Sequence, residues 1–469
     1  MSGPVPQAVD LELLVHRATG LLRRIRIAPG DRLVTLLENS PASLAVSVAT
    51  QLAGVVQVPL PPDLPPREVG EVTGDAEPAA ALVSPTVPVA ARPGGVALHV
   101  LGELADEDAV EPGSAWPLTR PMFYTSGTTG RRKGVWAGVN DAAWGRAVIE
   151  DEHRAFGERH GDRHLVVSPL HHSGPSRFAT VTTLLGGRVA VLPRFDAALW
   201  RATLRRVRPS SLFCVPTQLH RLLALPELCA DDLASLRLLA HAGASCPLQL
   251  KEQVMELAPD GSVWEFYGST EGQFTVCPPQ VWRALPGTVG RARPGRRLEV
   301  RDDAGRALPA GEVGTVWVHA PSHARWRYWR DPERTARAWD GDAFTVGDLG
   351  ALDAEGRLTL RGRHGDLVIS GGVNVYPALV EHRLLEHPDV AEAVVFGLPD
   401  PEWGERVVAA VVPRPGRTPG EQALRDHARA ALRSAEVPKR IVVVDALPRT
   451  TTGKVRRAGL AAHLGLLTV

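Results

Sequence analysis

The fold is decided by one stretch of sequence, Phe123-Tyr124-Thr125-Ser126-Gly127-Thr128-Thr129-Gly130-Arg131-Arg132-Lys133-Gly134. Its glycines let the backbone turn successive N–H groups toward one point, and such a concave nest attracts anions. The hydroxyl side chains between them add donors, and Lys133 adds a mobile positive charge. These features predict a loop that binds a polyphosphate.

Two familiar phosphate-binding motifs do not describe this loop. No Gly-Lys pair is followed by Ser or Thr, as a Walker A motif requires, and no G-x-G-x-x-G fingerprint is present. The residues that follow, 135–139, are predicted to form a strand, so no helix N-terminus is expected to help bind the phosphates. A flexible surface turn is the plain structural alternative for such a cluster of Gly, Ser and Thr.

Composition describes an ordinary globular chain. The 469 residues are 44% hydrophobic and 22% charged, which leaves room for large cores and for two or more domains. A net charge of +1 offers no electrostatic case for binding nucleic acid or a membrane. The N-terminal ten residues lack a signal pattern. Arginine is the default cation here, since lysine occurs only at Lys133, Lys251, Lys439 and Lys454.

The cysteines indicate a reducing compartment. They are far apart and contain no C-x-x-C pair, so neither a zinc site nor a disulfide framework is predicted, and a cytoplasmic location fits. The four positions are Cys214, Cys229, Cys246 and Cys277.

Strands alternate with helices along the first part of the chain, which predicts a parallel α/β sheet. Helices are predicted at 11–25, from Ser40-Pro41 onward and at 142–156, with Gly157 as a stop. The segment 85–117 is rich in Pro, Gly and acidic residues and is predicted to be mostly loop. Strands are predicted at 32–37, 55–60, 80–83, 164–168, 189–192, 212–215, 236–240 and 263–266.

The last hundred residues have a different pattern, typical of a compact α+β domain. Two helices and three strands are predicted there, at 379–386, 390–398, 407–413, 421–434 and 441–444.

The stretch Thr125–Gly134 resembles the phosphate loop of the acyl-adenylate-forming superfamily, which holds acyl-CoA synthetases, adenylation domains of peptide synthetases and luciferases. Further motifs resemble those of the family and follow in its order over nearly the whole chain. They are Pro169-Leu170-His171-His172, His241-Ala242-Gly243-Ala244-Ser245, Tyr267-Gly268-Ser269-Thr270-Glu271, Gly347-Asp348, Arg363-His364-Gly365-Asp366, Ser370-Gly371-Gly372-Val373-Asn374-Val375-Tyr376-Pro377 and Pro448-Arg449-Thr450-Thr451-Thr452-Gly453-Lys454.

The resemblance implies an α/β fold with a large N-terminal multi-subdomain body, whose sheets are flanked by helices and accompanied by a small β unit. A smaller, mobile α+β domain would follow. The implied boundaries are 1–362 for the AMP-binding body, 363–366 for a hinge and 367–469 for the C-terminal domain. Three features depart from the family pattern: a short N-terminal region, Arg132 where Pro is common, and Gly365 where Asp or Lys is usual.

Roles for individual residues also follow from the resemblance. Catalysis is assigned to Lys454, Thr270, Glu271 and His172, with Glu271 as the magnesium ligand. ATP and AMP binding is assigned to Thr125, Ser126, Gly127, Thr128, Thr129, Gly130, Lys133, Gly243, Ala244, Ser245, Phe266, Tyr267, Gly268, Ser269, Asp348 and Arg363. The acyl pocket is assigned to His172, Phe178, Val215, Gly243 and Gly268. The hinge and the CoA contacts are assigned to Gly365, Gly371 and Gly372.

The implied reaction uses ATP, Mg²⁺ and CoA. ATP would activate a carboxylic acid to acyl-AMP with release of pyrophosphate, and the acyl group would pass to the CoA thiol, as in an AMP-forming acyl-CoA synthetase. One alternative delivers the acyl group to a carrier protein or to another nucleophile. A second alternative is a catalytically silent nucleotide-binding scaffold, which Lys454, Glu271 and Asp348 disfavour.

The acid itself is less well determined by the sequence. Segment 172–178 contains no Asp or Glu that could pair with an α-ammonium group, so an α-amino acid is disfavoured. The apolar and small residues Phe178, Val215, Phe266, Gly174 and Gly243 are consistent with an aryl or medium-chain acid. Neither nucleic acid nor a membrane is an expected partner, and a homodimer is left open.

Overall fold

The computed structural model describes residues 5–125, 132–370, 373–449, 455, 457 and 459–466. The chain divides into two compact units. The first comprises Met1–Leu298 and Val318–Phe344, and the second comprises Glu299–Trp317 and Thr345–Val469. Within the described residues, no helix is both long enough and apolar enough to cross a bilayer.

A four-stranded parallel sheet opens the first unit, with strand order β2-β1-β3-β4. Its strands are β1 Arg32–Leu36, β2 Val56–Leu60, β3 Ala80–Val83 and β4 Ala97–Val100, and its helices are α1 Glu12–Arg24, α2 Pro41–Leu52 and α3 Pro66–Ala76. Ser40 caps α2 as predicted, because its hydroxyl accepts the N–H of Ser43 at 3.0 Å and Pro41 takes the first helical position.

Strand β4 lies within the segment 85–117, which is otherwise mostly loop as predicted. Only four residues long and largely exposed, it pairs with β3 at the sheet edge. Short 3₁₀ turns at Val89–Ala91 and Leu104–Asp106 flank it. Such a short exposed strand carries little hydrophobic pattern. Its extended conformation is therefore set by pairing with β3 rather than by its own sequence.

A five-stranded parallel sheet forms the centre of the first unit, in the order β11-β10-β9-β7-β8. Its strands are β7 Arg163–Val166, β8 Arg188–Val191, β9 Ser211–Cys214, β10 Leu238–His241 and β11 Val263–Glu265. The helices around it are α4 Ala142–Phe156, α5 Ser173–Leu184, α6 Ala197–Val207, α7 Pro216–Leu223, α8 Ala230–Leu233 and α9 Leu248–Leu257. Helix α4 has the predicted bounds and stops at Gly157, whose φ of 64° is the left-handed conformation that glycine adopts freely.

Smaller β units complete the first unit. The strands β5 Phe123–Thr125, β6 Lys133–Trp136 and β16 Arg327–Tyr328 form a three-stranded sheet, with β6 in the middle. The remaining elements are β12 Thr275–Val276, β13 Arg291–Ala292, α10 Pro279–Ala284, α11 Pro332–Ala338, β17 Trp339–Asp340 and β18 Ala343–Phe344. Along the chain, the boundaries between the two units fall within the strands β14 Arg297–Arg301 and β15 Gly314–His319.

The second unit is an α+β structure with its own apolar core. Its strands are β19 Asp348–Leu352, β20 Leu358–Arg363, β21 Val368–Ser370, β22 Val373–Val375, β23 Val390–Asp400, β24 Gly404–Pro413 and β25 Arg440–Val443, and its helices are α12 Pro377–Leu385, α13 Glu421–Arg429 and α14 Leu460–His463. The core is filled by Val395, Val407, Val411 and Leu424, all fully buried. Helix α13 ends five residues before the predicted end at Ser434, because turns replace the last part.

The expected hinge at 363–366 stays a prediction. Residues 364–366 form a single 3₁₀ turn directly after β20. The compact second unit begins at Thr345, so it includes the segment 345–362 that was predicted to belong to the N-terminal body. Within this unit, helix α12 packs against β20.

Candidate functional site

Two paired strands flank the glycine-rich loop. In the antiparallel pair β5–β6, Phe123 lies opposite Val135 and Thr125 lies opposite Lys133. The strand after the loop therefore confirms the prediction that no helix begins there. The loop residues Ser126, Gly127, Thr128, Thr129 and Gly130 lie outside the described residues, so their assignment to phosphate stays a prediction.

Lys133 faces a buried carboxylate and a tyrosine. The ammonium nitrogen of Lys133 donates to the hydroxyl of Tyr328 at 2.8 Å, and this hydroxyl donates to Oε1 of Glu271 at 2.8 Å. Lys133 and Glu271 also form an ion pair, with Nζ 3.4 Å from Oε1 and the glutamate side chain 5% exposed. Three residues from sequence-distant segments thus meet beside the glycine-rich loop.

Sequence reasoning gave Tyr328 no role in this cluster. Strand β16 carries Tyr328 to the middle strand β6, where it lies opposite Val135. The ammonium group of Lys133 also lies 4.1 Å from the centre of its ring, within the range of a cation–π contact. No local sequence pattern pairs Tyr328 with Lys133 or Glu271.

The electrostatics of the cluster keep Glu271 ionised. Burial by itself would raise the pKa of Glu271, but Lys133 and the hydrogen bonds from Ser269 and Tyr328 outweigh burial, so the pKa is below its usual value. An ionised buried carboxylate is a hard oxygen ligand of the type that Mg²⁺ binds. The described residues contain no group of three His, Cys, Asp or Glu side chains that could hold a metal ion. The site fits Mg²⁺ held by Glu271, water and substrate phosphates, the usual mode for this ion.

A tight turn after β11 positions Thr270 and Glu271. Gly268 and Gln273 form an antiparallel bridge, and a Cβ at Gly268 would lie 2.6 Å from the carbonyl oxygen of Gly272. Only glycine therefore fits there. The hydroxyl of Ser269 accepts the N–H of Glu271 at 3.2 Å, which closes the turn.

The turn after β10 lies at the same edge of the central sheet. The strands β10 and β11 are parallel, so their carboxyl ends coincide, and the N–H of Phe266 donates to the carbonyl of His241 at 3.2 Å. Gly243, in the predicted adenine turn Gly243-Ala244-Ser245, has φ of 90°. The structure thus brings together two of the predicted nucleotide segments, as expected for a crevice at the carboxyl edge of a parallel sheet.

A buried ion pair lies at the carboxyl end of β11. The ammonium nitrogen of Lys251 lies 2.6 Å from Oε2 of Glu265, the last residue of β11, and the lysine side chain is 1% exposed. Burial raises the pKa of Glu265, and Lys251 opposes that shift. Sequence reasoning noted Lys251 only as one of four lysines and did not find its partner.

Two residues assigned to the acyl pocket, Phe178 and Val215, lie in or against an aromatic cluster. Phe178 is 2% exposed and stacks on Phe213, with ring centres 5.6 Å apart. Val215 packs against the same cluster, and a Cβ at Gly243 would lie 3.4 Å from Val215. His172 is the N-cap residue of α5. Whether these residues hold the acid stays a prediction.

An open cavity borders the other side of α5. It encloses about 710 Å³ of empty space, counted out to its mouth, and lies wholly within the first unit. Ser173, Ser176, Arg177 and Thr180 line it at helical spacing, which marks one face of α5. Thr270 and Glu271 border the same cavity.

The remaining predicted nucleotide residues lie in the second unit. Arg363 donates to Oδ1 of Asp348 at 2.7 Å, and the two residues are directly opposite in the antiparallel pair β19–β20. The pairing holds the aspartate oxygens in place, and its proposed ribose contact stays a prediction. Gly371, Gly372 and Lys454 lie outside the described residues.

Comparison with known protein families decides the classification. The family described as AMP-binding enzyme matches residues 9–329, and its C-terminal domain family matches residues 379–454. The chain belongs to the AMP-binding enzyme family. The predicted fold class and the resemblance found in the sequence are thereby confirmed.

Relatives of this AMP-binding enzyme are mostly named as acid–thiol ligases. An indoleacetate–CoA ligase of Aromatoleum aromaticum is 32% identical, over 95% of this chain and 90% of the relative. A fatty acid–[acyl-carrier-protein] ligase of Streptomyces coeruleorubidus is 31% identical, over 95% and 89%. The ATP-bound structure of MatB from Rhodopseudomonas palustris superposes with a TM-score of 0.86 at 28% identity, over 99% of this chain and 97% of that one. The prediction of an AMP-forming ligase is confirmed at this level.

Proposed function

We propose that this AMP-binding enzyme activates a carboxylic acid with ATP, releases pyrophosphate and passes the acyl group to the thiol of CoA. The observation that carries the proposal is the buried, ionised Glu271, held by Lys133 and Tyr328 beside the glycine-rich loop. A carboxylate kept ionised next to a phosphate-binding loop is suited to a magnesium–phosphate substrate.

The first half-reaction forms an acyl phosphate bond. A carboxylate oxygen of the acid attacks the α-phosphorus of ATP, and the bond to the pyrophosphate oxygen breaks. Negative charge develops on the phosphoryl oxygens, so positioned cations and N–H donors supply most of the catalysis. Lys133 and the loop 125–130 would bind the β- and γ-phosphates, and Lys454 would lie at the α-phosphate. The acid is already ionised, so no general base is required.

Metal and ribose contacts complete the proposed first step. Glu271 would hold Mg²⁺, which neutralises phosphate charge when it is bound. Thr270, in the same turn, would donate its hydroxyl to a phosphate oxygen. Asp348, oriented by Arg363, would accept both ribose hydroxyls, since an ionised carboxylate has acceptor sites for two donors.

The second half-reaction transfers the acyl group. The CoA sulfur attacks the acyl carbon, the bond to the AMP oxygen breaks, and the thiol proton leaves to solvent. Gly371 and Gly372 would border the CoA chain after the domain turns about 363–366. An aryl or medium-chain acid is our proposed substrate class, and the indoleacetate–CoA ligase among the relatives supports it. A cytoplasmic location and a homodimer stay predictions; all four cysteines are free.

The test is a pyrophosphate-release screen over a library of carboxylic acids, with and without CoA. We expect acid-dependent release, and thioester only when CoA is present. Release without any acid, or none with every acid, would contradict the proposal.

Lys454→Ala tests the assignment of the catalytic lysine. We expect adenylation to fall by about 10² or more, as when one oxyanion donor is removed, while thioester formation from supplied acyl-AMP is spared. Lys439→Arg is the matched control, because Lys439 contacts the ring of Trp403 in the same unit, 4.7 Å from its centre. Pyrophosphate release at the wild-type rate in Lys454→Ala would refute the assignment.

A carrier protein is the second candidate acceptor, since one relative is named as a ligase for an acyl carrier protein. Competition between CoA and a phosphopantetheinylated carrier protein in the same assay decides between them.

A further inference from the structure

Lys251 is a buried lysine in a chain that uses arginine almost everywhere else. Only four lysines occur among the 53 lysine and arginine residues, and the proposed function gives Lys251 no role. Its side chain is 1% exposed, and its ammonium nitrogen lies 2.6 Å from Oε2 of Glu265 and 5.1 Å from the centre of the Trp282 ring. A compact ammonium group fits this enclosed space better than a planar guanidinium group would.

Glu265, the last residue of β11, lies where the chain leaves the central sheet. On one side it pairs in parallel with His241 of β10, and on the other it forms an antiparallel bridge with Cys277. His241 is fully buried, and neither of its ring nitrogens has a hydrogen-bond partner. Burial and the nearby Lys251 hold the pKa of His241 well below its usual value, so this ring is neutral at pH 7. Within the described residues, Lys251 alone balances the charge of Glu265.

The ion pair lies at the base of a hairpin that carries the proposed phosphate and magnesium residues. This hairpin comprises residues 265–277 and is closed at its base by an antiparallel bridge. Ser269 and Gly272 exchange backbone hydrogen bonds of 2.8 and 3.2 Å, so Thr270 and Glu271 form its two-residue tip.

A small tilt at the base of the hairpin is enough to misplace its tip. The two are about four residues apart, roughly 13 Å of extended strand, so a tilt of about 4° moves the tip by about 1 Å. A displacement of about 1 Å at a reacting group can lower a rate by about 10²-fold. The orientation of the base therefore matters more for the chemistry than for the fold.

A buried ion pair is suited to fixing an orientation rather than to adding stability. Desolvation offsets most of the attraction between the two charges, and apolar side chains of similar size often stabilise a fold as well or better. A charge-assisted hydrogen bond, in contrast, holds two groups in one direction.

We propose that Lys251, through Glu265, is a positioning residue that fixes the hairpin 265–277 and so places Thr270 and Glu271 for the phosphates and Mg²⁺. This inference rests on the proposed function, which assigns these ligands to the two tip residues.

The experiment replaces the ion pair with apolar side chains of similar size, in the double variant Lys251→Met/Glu265→Leu. We expect a urea midpoint of unfolding at or above that of the wild type. The Mg²⁺ concentration for half-maximal pyrophosphate release should rise, and kcat/KM for ATP should fall by about 10- to 100-fold. Calorimetry without any acid should show weaker binding of Mg²⁺–ATP.

Thioester formation from supplied acyl-AMP separates positioning from a general structural role. In the proposed mechanism this step involves neither pyrophosphate nor Mg²⁺, so it should fall much less than adenylation in the double variant. Equal loss of both half-reactions, together with a lower midpoint of unfolding, would show that the pair only stabilises the fold and would overturn the inference.

Glu265→Gln is the second variant, in case the double variant fails to fold. It keeps the shape of the side chain and an acceptor for Lys251 but weakens the bond between them. The Mg²⁺ dependence and kcat/KM for ATP should therefore change in the same direction by a smaller factor, with thioester formation again little affected.

Arg237→Gln is the matched control at the opposite edge of the same sheet. Arg237 directly precedes β10 and pairs at 2.6 Å with Asp162, which directly precedes β7. Loss of this pair should lower the midpoint of unfolding and leave the Mg²⁺ and ATP dependence at wild-type values. An equal shift of the Mg²⁺ dependence in this control would overturn the inference, because any lost ion pair would then have the same effect.

Failure of the inference and failure of the proposed function give different results. Wild-type Mg²⁺ dependence, ATP kinetics and Mg²⁺–ATP binding in the double variant would overturn the positioning role while adenylation stands. If the wild-type enzyme adenylates no acid, the proposed function fails. Calorimetry with Mg²⁺–ATP then still decides the role of the pair, since unchanged binding in the double variant overturns it and weaker binding supports it.

Discussion

A single buried carboxylate, Glu271, connects the stability of the site with its proposed chemistry. Removing a charged group from water is costly, and the folded protein offsets this cost with Lys133, Ser269 and Tyr328. Because the folded pKa of Glu271 is depressed, its favourable contribution is present at neutral pH and is lost as the pH falls through that pKa. The group is therefore ionised where the enzyme is expected to work.

Glu271→Gln tests the magnesium contact. An amide oxygen lacks the charge that attracts a hard cation, so we expect a higher Mg²⁺ concentration for half-maximal adenylation. The measurement is a Mg²⁺ titration of pyrophosphate release. An unchanged titration curve would remove Glu271 from the metal site.

Tyr328→Phe tests the tyrosine that sequence reasoning missed. The variant removes a donor to ionised Glu271, so the pKa of Glu271 should rise and the acid limb of the adenylation pH profile should move to higher pH. Loss of a hydrogen bond to a charged group costs about 1.5–3 kcal/mol, so we expect adenylation to fall by about tenfold or more.

Tyr124→Phe is the control for this change. The hydroxyl of Tyr124, on strand β5 of the same small sheet, donates to Asp75 at 2.6 Å. The acid limb should keep its position in this variant. An identical profile for wild type and Tyr328→Phe would show that the tyrosine only packs.

At the scale of elements, the two faces of helix α5 border an aromatic cluster and a cavity. One face of α5 carries Gly174 and Phe178 to the aromatic cluster, where a Cβ at Gly174 would lie 2.9 Å from Phe213. The face with Ser173, Ser176 and Arg177 borders the cavity. Helix α4 closes the cavity through Ile149 and Glu152. Small shifts of either helix should therefore change the shape of the cavity.

Gly145→Ala tests how closely α4 must approach the preceding loop. A Cβ at Gly145 would lie 2.0 Å from the carbonyl oxygen of Pro117, so the helix must move away. We expect a loss of about 1–3 kcal/mol in the free energy of unfolding, measured with urea.

Gly70→Ala is the matched control on another helix. A Cβ at Gly70 of α3 meets no atom within 4 Å, so the substitution should stabilise the protein by about 0.5–1 kcal/mol through helix propensity. Equal stabilisation by both substitutions would show that α4 does not need the close approach.

On the scale of the whole molecule, two compact units carry different parts of the proposed machinery. Glu271 and Lys133 lie in the first unit, and Asp348 and Arg363 lie in the second. The two proposed half-reactions would use different C-terminal segments at the reacting atoms, so we expect one unit to turn between them.

Gly365→Pro tests the predicted hinge. Proline restricts φ to about −65°, so the variant should favour one orientation and retain mainly one half-reaction. The measurements are acid-dependent pyrophosphate release and thioester formation from pre-made acyl-AMP.

Gly365→Ala is the control, because a Cβ at this position meets no atom within 4 Å and should be tolerated. If Gly365→Pro retains both rates equally, the turning point lies elsewhere or the unit does not turn.

Sequence alone determined most of the fold and the classification. The cap of α2 and the bounds of α4 could be predicted because each signal acts within a few residues of its own helix. Ser40 and Pro41 begin α2, and Gly157 ends α4. Strand positions in both parallel sheets, apart from that of β4, followed from short apolar runs between turns. The motifs could be recognised because each lies within one short segment of the chain.

Only the tertiary structure decided which distant residues meet. Tyr328 and Glu271 are 57 residues apart and Lys251 and Glu265 are 14 apart, and no local pattern pairs either set. The hydrogen bond from Arg120 to the backbone carbonyl of His323 could not be predicted from the sequence either, since the two residues are 203 positions apart. Periodicity and capping report on neighbours along the chain, whereas ion pairing and burial depend on neighbours in space, which only the assembled sheets determine.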